Sequence, residues 1–388
     1  MGIGVELTKQ KYGDDLMDKN NLDKAIELRR ELHRNPEPSN QEVWTKNRLI
    51  GFLKENTKLE IVDGGKFFYA IYRAGEDRRN IAFRADFDAI LMDEGIELPH
   101  GSRNPGVSHK CGHDGHSASL AGFALEVDQK GAEENVFFIF QHAEETGDGG
   151  AEASVFIEEN HIEEIFAYHN MSGMDRNSIN IIDGTTNFAS RGMTIRMTGK
   201  QSHASQPEMG RNPAFAIARV IDGIPGLVDS KKNRGEVLAT VVQVNVGDRA
   251  FGISAGKGDL LLTIRAEFEE ELDGLQRNLE NIARAQAQKD GIKVEFIYND
   301  VFPVTSNSPE SADKIREAAR RKGFQLVEME KGFRGSEDFG HYLKKTKGAI
   351  CYIGNGLDYP AVHTHEYDFP DEIIETAVEL FKELAGVQ

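Results

Sequence analysis

The chain has 388 residues, which is enough for a large hydrophobic core and for about two domains. Hydrophobic residues make up 39% and charged residues 28% of the chain, as in an ordinary globular protein. The net charge of −18 argues against nucleic acid and against anionic membrane surfaces as partners, because both are bound through Lys and Arg.

The first half of the chain alternates between helical and strand-like segments. The run 136–140 is continuously apolar, which is typical of a strand buried on both faces. Alternation of this kind predicts an α/β layered domain. The predicted helices are 21–33, 42–54, 114–127 and 150–159, and the predicted strands are 67–72, 81–84, 136–140 and 165–168.

The pattern changes after Gly184. The segments that follow have the order β-α-β-β-α-β, with strands at 193–197, 237–246, 260–268 and 292–298 and helices at 213–224 and 272–288. This order predicts a ferredoxin-like α+β domain at 186–298, inserted into a mixed-sheet α/β domain formed by 1–185 and 299–388. The returning segment has predicted helices at 311–322 and 372–384 and a strand around Cys351.

Three polar residues of the first domain each follow a predicted strand. Asp86 follows the strand at 81–84, Glu144 follows the strand at 136–140, and His169 follows the strand at 165–168. Functional sites of open α/β sheets form at the carboxyl ends of the strands, so we expect these side chains to meet at one edge of the sheet.

The run 109–116, His-Lys-Cys-Gly-His-Asp-Gly-His, places a thiol, three imidazoles and a carboxylate within eight residues. Thiolate and imidazole are ligands of zinc-class metals, so Cys111 and His113 are candidate ligands. His116, three residues beyond His113, is either a further ligand or a packed, hydrogen-bonded histidine. The other cysteine, Cys351, lies in an apolar strand and is expected in the core, and a disulfide is not expected in a cytosolic chain.

The adjacent pair Glu144-Glu145 follows the apolar run at 136–140. Adjacent side chains point in different directions, so one carboxylate can bind a metal while the other serves as a base. The alternative is a charged surface loop. His169, His363 and His365 are further candidate ligands, and sequence spacing cannot choose between the last two. Together these residues favour a hydrolase with a metal-activated water and a carboxylate base.

These segments, in this order, resemble the zinc-clan family of aminoacylases and glutamate carboxypeptidases, and within it the branch of hippurate hydrolases, auxin-conjugate hydrolases and N-acyl-amino-acid amidohydrolases. Residues 84–89 resemble its R-A-D-x-D-A strand, 109–116 match H-x-C-G-H-D-G-H, 140–145 match F-Q-P-A-E-E except at His142, 335–339 resemble G-S-E-D-F, and 363–369 resemble H-S-P-x-F-D-F. The segment 247–254 lacks the family's N-x-I-P-like motif, and Asn170 stands where an apolar residue is usual.

The resemblance implies roles that spacing alone does not give. The ligands of one or two divalent ions would be Cys111, His113, Glu145, His169 and His363. Zinc is the first expectation for the ion, with manganese, cobalt and nickel as alternatives. Glu144 would be the general base. His203 would be the lid histidine that stabilises the oxyanion, in its own site or in that of a partner subunit.

Two further residues have weaker support. Asp86 is a candidate for orienting a ligand or its support, and Arg265 is a candidate for binding the substrate carboxylate. The inserted domain would be both the lid and the interface of a homodimer.

The sequence therefore predicts a metal-dependent amidohydrolase that cleaves N-acetyl, N-benzoyl or similar N-acyl amino acids. The alternative within this chemistry is a dipeptidase or carboxypeptidase acting on small peptides. A Cys-His nucleophilic hydrolase and a metal-holding scaffold without activity are alternatives of other classes. Residues 1–20 lack the apolar centre of a secretory signal, and no apolar run has the length of a membrane helix, so we expect a cytoplasmic protein.

Overall fold

The structure is a computed structural model that describes residues 16–387. Residues 1–15, which the sequence assigns to the first domain, and Gln388 lie outside the described residues. The helices of the described part are α1 (Lys19–Arg34), α2 (Val43–Asn56), α3 (His113–Lys130), α4 (Asp148–Ala153), α5 (Val155–Glu159), α6 (Ala214–Leu227), α7 (Glu269–Asp290), α8 (Pro309–Arg321), α9 (Gly340–Leu343) and α10 (Glu372–Ala385).

In residues 16–387 the strands fall into three sheets. They are β1 (Glu60–Asp63), β2 (Phe68–Tyr72), β3 (Asn80–Asp86), β4 (Asn135–Gln141), β5 (Glu164–Ser172), β6 (Ile179–Ile181), β7 (Gly184–Asn187), β8 (Ala189–Thr198), β9 (Val237–Val246), β10 (Lys257–Ala266), β11 (Lys293–Phe302), β12 (Thr305–Asn307), β13 (Leu326–Glu328) and β14 (Lys347–Gly356). The predicted segment 150–159 is two short helices, α4 and α5, separated at Ser154.

The chain divides into two compact units. Over the described residues, the first unit holds 16–186, Ser306–Lys331 and 338–387, and the second holds Asn187–Thr305 and Gly332–Glu337. The sequence did not indicate that Gly332–Glu337 groups with the second unit. The roles predicted from the sequence, catalytic for 1–185 with 299–388 and lid or dimerisation for 186–298, stay predictions.

The first unit is built on an eight-stranded mixed sheet in the order β1-β2-β4-β3-β5-β14-β6-β13. Its central strands β4, β3, β5 and β14 run parallel to one another. Parallel strands are covered on both faces, which explains why β4 is buried along its whole length. Since the carboxyl ends of these four strands lie at one edge, the residues that follow them are brought to that edge.

Helix α3 packs against the sheet in the middle of the core. The ring of Phe123 lies 4.9 Å from that of Phe83 on β3 and 5.2 Å from that of Phe138 on β4, measured between ring centroids. The helix begins after Gly112, whose φ of 103° lies in the left-handed region. A Cβ at Gly112 would lie 2.4 Å from Asn170 Oδ1, so only glycine fits at this start.

The second unit is a four-stranded antiparallel sheet in the order β11-β8-β10-β9. In chain order this is 4-1-3-2, the strand order of the ferredoxin-like arrangement. Apolar residues of α6 and α7, including Ile217, Val220, Leu272 and Leu279, share one core with the sheet. The predicted fold class, a mixed-sheet α/β domain with an inserted α+β domain, is confirmed.

Short strands β7 and β12 pair with each other. No helix in the described part of the chain combines the length and the apolar character that crossing a bilayer requires.

Candidate metal centre

The structure brings all five predicted ligands together in the first unit. Their donor atoms form overlapping groups in which every atom lies within 4.8 Å of the others. Three of the groups are Cys111 with His113 and His169, Cys111 with Glu145 and His363, and His113 with Glu144 and Glu145, and a fourth joins His113 to Asp86 and His116. A thiol, three imidazoles and carboxylates at this spacing form a donor set suited to divalent metals.

Each donor comes from a different point at the edge of the sheet. Cys111 lies in the loop before α3 and His113 is the first residue of that helix. Glu145 lies in the turn after β4, and His169 lies within β5. His363 lies in the loop after β14. Of the three residues predicted to follow strands at this edge, Glu144 follows β4, whereas Asp86 is the last residue of β3 and His169 lies inside β5, which runs on to Ser172.

The His113 ring is held by a carboxylate that the sequence analysis did not single out. Asp88 Oδ1 accepts a hydrogen bond from His113 Nδ1 at 3.0 Å, and Asp88 Oδ2 accepts one from the backbone N–H of Glu145 at 3.1 Å. Asp88 therefore fixes one candidate ligand by its ring and another by its backbone. The signal for it was the spacing of Asp86 and Asp88, since residues two apart share a side of an extended chain.

Cys111 and His169 face each other, with 3.4 Å between Sγ and Nε2. His169 Nδ1 donates to the carbonyl of Asn170 at 2.6 Å, which leaves Nε2 directed at the donor group. Burial, followed by the charge of His116, lowers the pKa of His169, which favours the neutral ligand form. Burial, followed by the charge of Glu145, raises the pKa of the Cys111 thiol well above its usual value.

Glu145 and His363 lie side by side, with 3.1 Å between Oε1 and Nε2. The backbone of His363 has a φ of 61°, in the left-handed region that a non-glycine residue adopts only when its surroundings hold it there. Its backbone N–H donates to the carbonyl of Lys110 at 2.7 Å. His365, the other C-terminal candidate, points its Nδ1 at the carbonyl of Asp93, 2.9 Å away, so the geometry favours His363.

Glu144 is buried and lies next to the donors, with its Oε2 3.9 Å from His113 Nε2. It follows Ala143, whose φ of 49° is again left-handed. The backbone N–H of Ala143 donates to Glu42 Oε1 at 2.7 Å. Glu42 therefore anchors the turn from which Glu144 and Glu145 project, a role that the sequence analysis missed because Glu42 is remote in the chain.

Asp86 was predicted to orient a metal ligand or a residue that supports one. In the structure its closest histidine contact is to His116, which is not one of the five predicted ligands. Its Oδ1 lies 2.6 Å from His116 Nδ1 but 3.9 Å from His113 Nδ1. Arg84 donates to Asp86 Oδ2 at 2.6 Å and to Asp338 Oδ1 at 2.7 Å, and all three side chains are buried. His116 is thus hydrogen-bonded, as one of its two predicted alternatives requires, but it also forms a donor group with Asp86 and His113. The shorter carboxylate contact to His113 belongs to Asp88.

Residues 82–386 of this chain match the sequence pattern described as Peptidase family M20/M25/M40. The match covers well over half of the chain. The chain belongs to this family.

The relatives agree with the site chemistry. N-acetylcysteine deacetylase of Bacillus subtilis (strain 168) is 30% identical over 374 residues, which cover 94% of this chain and 96% of that protein. Hippurate hydrolase of Campylobacter jejuni is 28% identical, with 92% of this chain and 94% of that protein covered. A B. subtilis structure described as a dinuclear metal-binding peptidase of the M20 family is 27% identical, with a TM-score of 0.81 over 95% of this chain and 99% of that chain. As an M20-family protein, the chain is a metal-dependent hydrolase of amide bonds.

The donor set of this M20-family chain fits a metal by a test independent of the comparisons. His113 Nε2 is buried and has no hydrogen-bond partner, although its ring is held firmly through Nδ1. An unpaired buried nitrogen costs free energy unless a ligand occupies the space in front of it. A divalent ion beside His113 would pair this nitrogen and would also oppose the effects that raise the pKa of Cys111.

The second unit carries the two remaining predicted site residues. His203 is exposed in a loop, where its Nδ1 lies 2.6 Å from Ser205 Oγ and its backbone pairs with Ile253. Arg265 on β10 donates from Nη1 to the carbonyl of Arg334 and to Ser336 Oγ, each at 2.8 Å. Their roles in oxyanion and carboxylate binding stay predictions.

Glu42 should make the folding stability of this M20-family chain depend on pH. Burial, ahead of the negative charge of Asp88, raises the pKa of Glu42 from 4.5 to about 7. The folded state therefore binds the proton more tightly than the unfolded chain, and the stability due to Glu42 falls as the pH rises from about 4.5 to about 7. The full change is at most about 3 kcal/mol. We expect Glu42→Gln to become more stable relative to the wild type across this window.

Urea unfolding of both proteins at several pH values, with a chelator present, measures this difference. The side-chain oxygen of glutamine can still accept from Ala143, so the variant tests ionisation rather than loss of the hydrogen bond. A difference in unfolding free energy that stays constant from about pH 5 to about pH 8 would contradict the assignment.

Proposed function

We propose that this protein hydrolyses the amide bond of N-acyl amino acids, with acetyl and benzoyl groups as the first acyl candidates. The observation that carries the proposal is the convergence of Cys111, His113, Glu145, His169 and His363 on one spot, with Glu144 beside them. Five donors and one additional carboxylate are what a hydrolase needs to hold metal and to move a proton. The named activities of N-acetylcysteine deacetylase and hippurate hydrolase support this substrate class.

In this proposal the five donors hold one or two divalent ions, with zinc preferred by the thiolate and imidazole ligands and manganese, cobalt or nickel as alternatives. A divalent ion at the site would polarise the amide carbonyl and acidify water. Asp88 keeps His113 Nε2 turned towards the site by accepting the proton on Nδ1.

The proton steps belong to Glu144. Its Oε2 lies 3.9 Å from His113 Nε2, so it is adjacent to the donors. Glu144 accepts a proton from the attacking water and then delivers it to the leaving amine, which separates as the free amino acid. Two roles predicted from the sequence complete the proposal: oxyanion binding by His203, in its own site or in that of a partner subunit, and binding of the substrate carboxylate by Arg265.

The experiment is an assay of the purified protein on N-acetyl, N-benzoyl and indole-acetyl amino acids and on dipeptides. It is run with and without a chelator and with added zinc, cobalt or manganese. We expect turnover of at least one N-acyl amino acid that disappears with the chelator and returns with metal. Turnover of dipeptides alone would favour the dipeptidase or carboxypeptidase alternative. Turnover that is insensitive to the chelator would favour a Cys-His nucleophile.

We also propose that the protein is a homodimer formed through the second unit. Strand β9 is at an edge of its sheet and exposes Val241, Val242 and Val244 by 40%, 60% and 47%. An exposed apolar edge strand is a site of pairing with another chain. Sedimentation equilibrium should give twice the mass of one chain, and the mass of a single chain would contradict the proposal. A cytoplasmic location likewise stays a proposal.

A further inference from the structure

Asn170 is a core residue that directly follows the candidate ligand His169 in the chain. It is fully buried, and its side chain uses both ends. Nδ2 donates to the hydroxyl of Tyr367 at 2.6 Å, and Oδ1 lies 2.6 Å from His116 Nε2. Its carbonyl accepts the hydrogen bond from His169 Nδ1 at 2.6 Å. Asn170, itself on β5, thus contacts α3 through His116 and the loop between β14 and α10 through Tyr367.

Tyr367 connects Asn170 to the loop before α3, which contains Lys110. It is also fully buried, and its carbonyl accepts a hydrogen bond from Lys110 Nζ at 2.6 Å. The backbone carbonyl of Lys110 in turn accepts from the N–H of His363 at 2.7 Å. Lys110 directly precedes Cys111, so Tyr367 links the loop that carries His363 to the loop that carries Cys111.

The hydrogen-bonded bridge formed by Asn170 and Tyr367 lies close to the candidate ligands, as the space around Gly112 shows. A Cβ at Gly112 would lie 2.4 Å from Asn170 Oδ1 and 2.8 Å from the Tyr367 hydroxyl. The amide and the phenol therefore pack directly on the residue between Cys111 and His113. Three separate chain segments, which together carry four of the five candidate ligands, meet at one amide.

We propose that Asn170 is a positioning residue that, through Tyr367 and His116, sets the relative positions of the segments carrying Cys111, His113, His169 and His363. The inference rests on the proposed metal-binding function of this site. Asn170 touches neither substrate nor metal in this role. It acts by fixing the backbone from which the ligands project, as outer-shell hydrogen bonds do in metal sites.

The test compares Asn170→Leu and Tyr367→Phe with a control, Asn135→Leu. Asn135 is also a buried asparagine, with its Oδ1 accepting from Ala74 N at 2.8 Å and its Nδ2 donating to Asn80 Oδ1 at 3.0 Å. It begins β4, at the end of the strand opposite to the site. The control therefore reproduces the loss of a buried amide without touching the bridge.

The readout is the rate at which metal-loaded protein, prepared with zinc, releases zinc to a colorimetric chelator. We expect Asn170→Leu to accelerate release by about 10- to 100-fold and Asn135→Leu by less than about twofold. Tyr367→Phe removes only one of the hydrogen bonds, so we expect a smaller acceleration in the same direction. Since phenylalanine keeps the ring, this variant decides the question if Asn170→Leu does not fold.

If Asn170→Leu and Tyr367→Phe both release zinc at the same rate as the wild type, the positioning role is overturned and the proposed function stands. Equal acceleration in Asn135→Leu and Asn170→Leu would also overturn it, because the effect would then be general destabilisation. A wild-type protein that binds no zinc would overturn the proposed function, and this inference with it.

Discussion

Glu144→Gln should reduce amide hydrolysis by about 10²- to 10⁴-fold, the range typical of a lost general base. Glutamine has nearly the same shape as glutamate but cannot take up a proton from water. Glu144 is a buried neighbour of His113 and is not one of the five predicted ligands, so we expect the metal content of the variant to equal that of the wild type. The measurement is kcat on an N-acyl amino acid together with metal analysis of the same sample.

Glu152→Gln is the matched control for this prediction. Glu152 is a nearby glutamate on α4 that pairs with His142 at 3.2 Å and with Lys66 at 2.9 Å, outside the donor groups. We expect it to retain most of the wild-type activity. If Glu144→Gln keeps more than about a tenth of the wild-type kcat, Glu144 is not the general base.

His113→Ala should remove both metal binding and activity. His113 is a donor whose Nε2 is buried without a hydrogen-bond partner, and it belongs to three of the four donor groups that contain predicted ligands. Its loss should exceed the about 10- to 100-fold cost of removing an outer-shell partner. The measurements are metal content after dialysis and kcat/KM on the same substrate.

His365→Ala separates this prediction from a general effect of losing a histidine. His365 lies in the same loop as His363, but its Nδ1 contacts the carbonyl of Asp93 rather than the donor group. We expect the variant to keep its metal. A His113→Ala protein with unchanged metal content would mean that the metal lies elsewhere.

Much of the fold follows from local patterns in the sequence. The continuous apolar run of β4 and the β-α-β-β-α-β order of 186–298 both predict elements that the structure contains. The strands that the sequence analysis missed, such as β1, β6 and β13, are three or four residues long. Strands this short carry too few alternations to be recognised, and they form because a neighbouring strand offers backbone hydrogen bonds.

The residues of the site also fall into two kinds, those that local sequence motifs indicate and those that become visible only in the folded structure. Cys111, His113 and the pair Glu144-Glu145 lie in short motifs whose residue types indicate metal chemistry. The choice of Glu145 and His363 as ligands came from the family resemblance. Asp88, Glu42 and Asn170 contact partners far away in the chain, with Glu42 and Ala143 separated by 101 positions. Such contacts depend on how the strands pack, which no local spacing encodes. A single carboxylate or amide of this kind has many possible roles until its partner is known.

The most direct test of the account is the position of the metal. Anomalous X-ray diffraction at the zinc edge, from crystals of the protein loaded with zinc, locates the ions without any assumption about activity. We predict one or two peaks bounded by Cys111, His113, Glu145, His169 and His363, with Glu144 adjacent. A crystal that contains zinc but shows its peaks away from these residues, or no bound zinc at all, would contradict the central claim that these side chains form the metal centre.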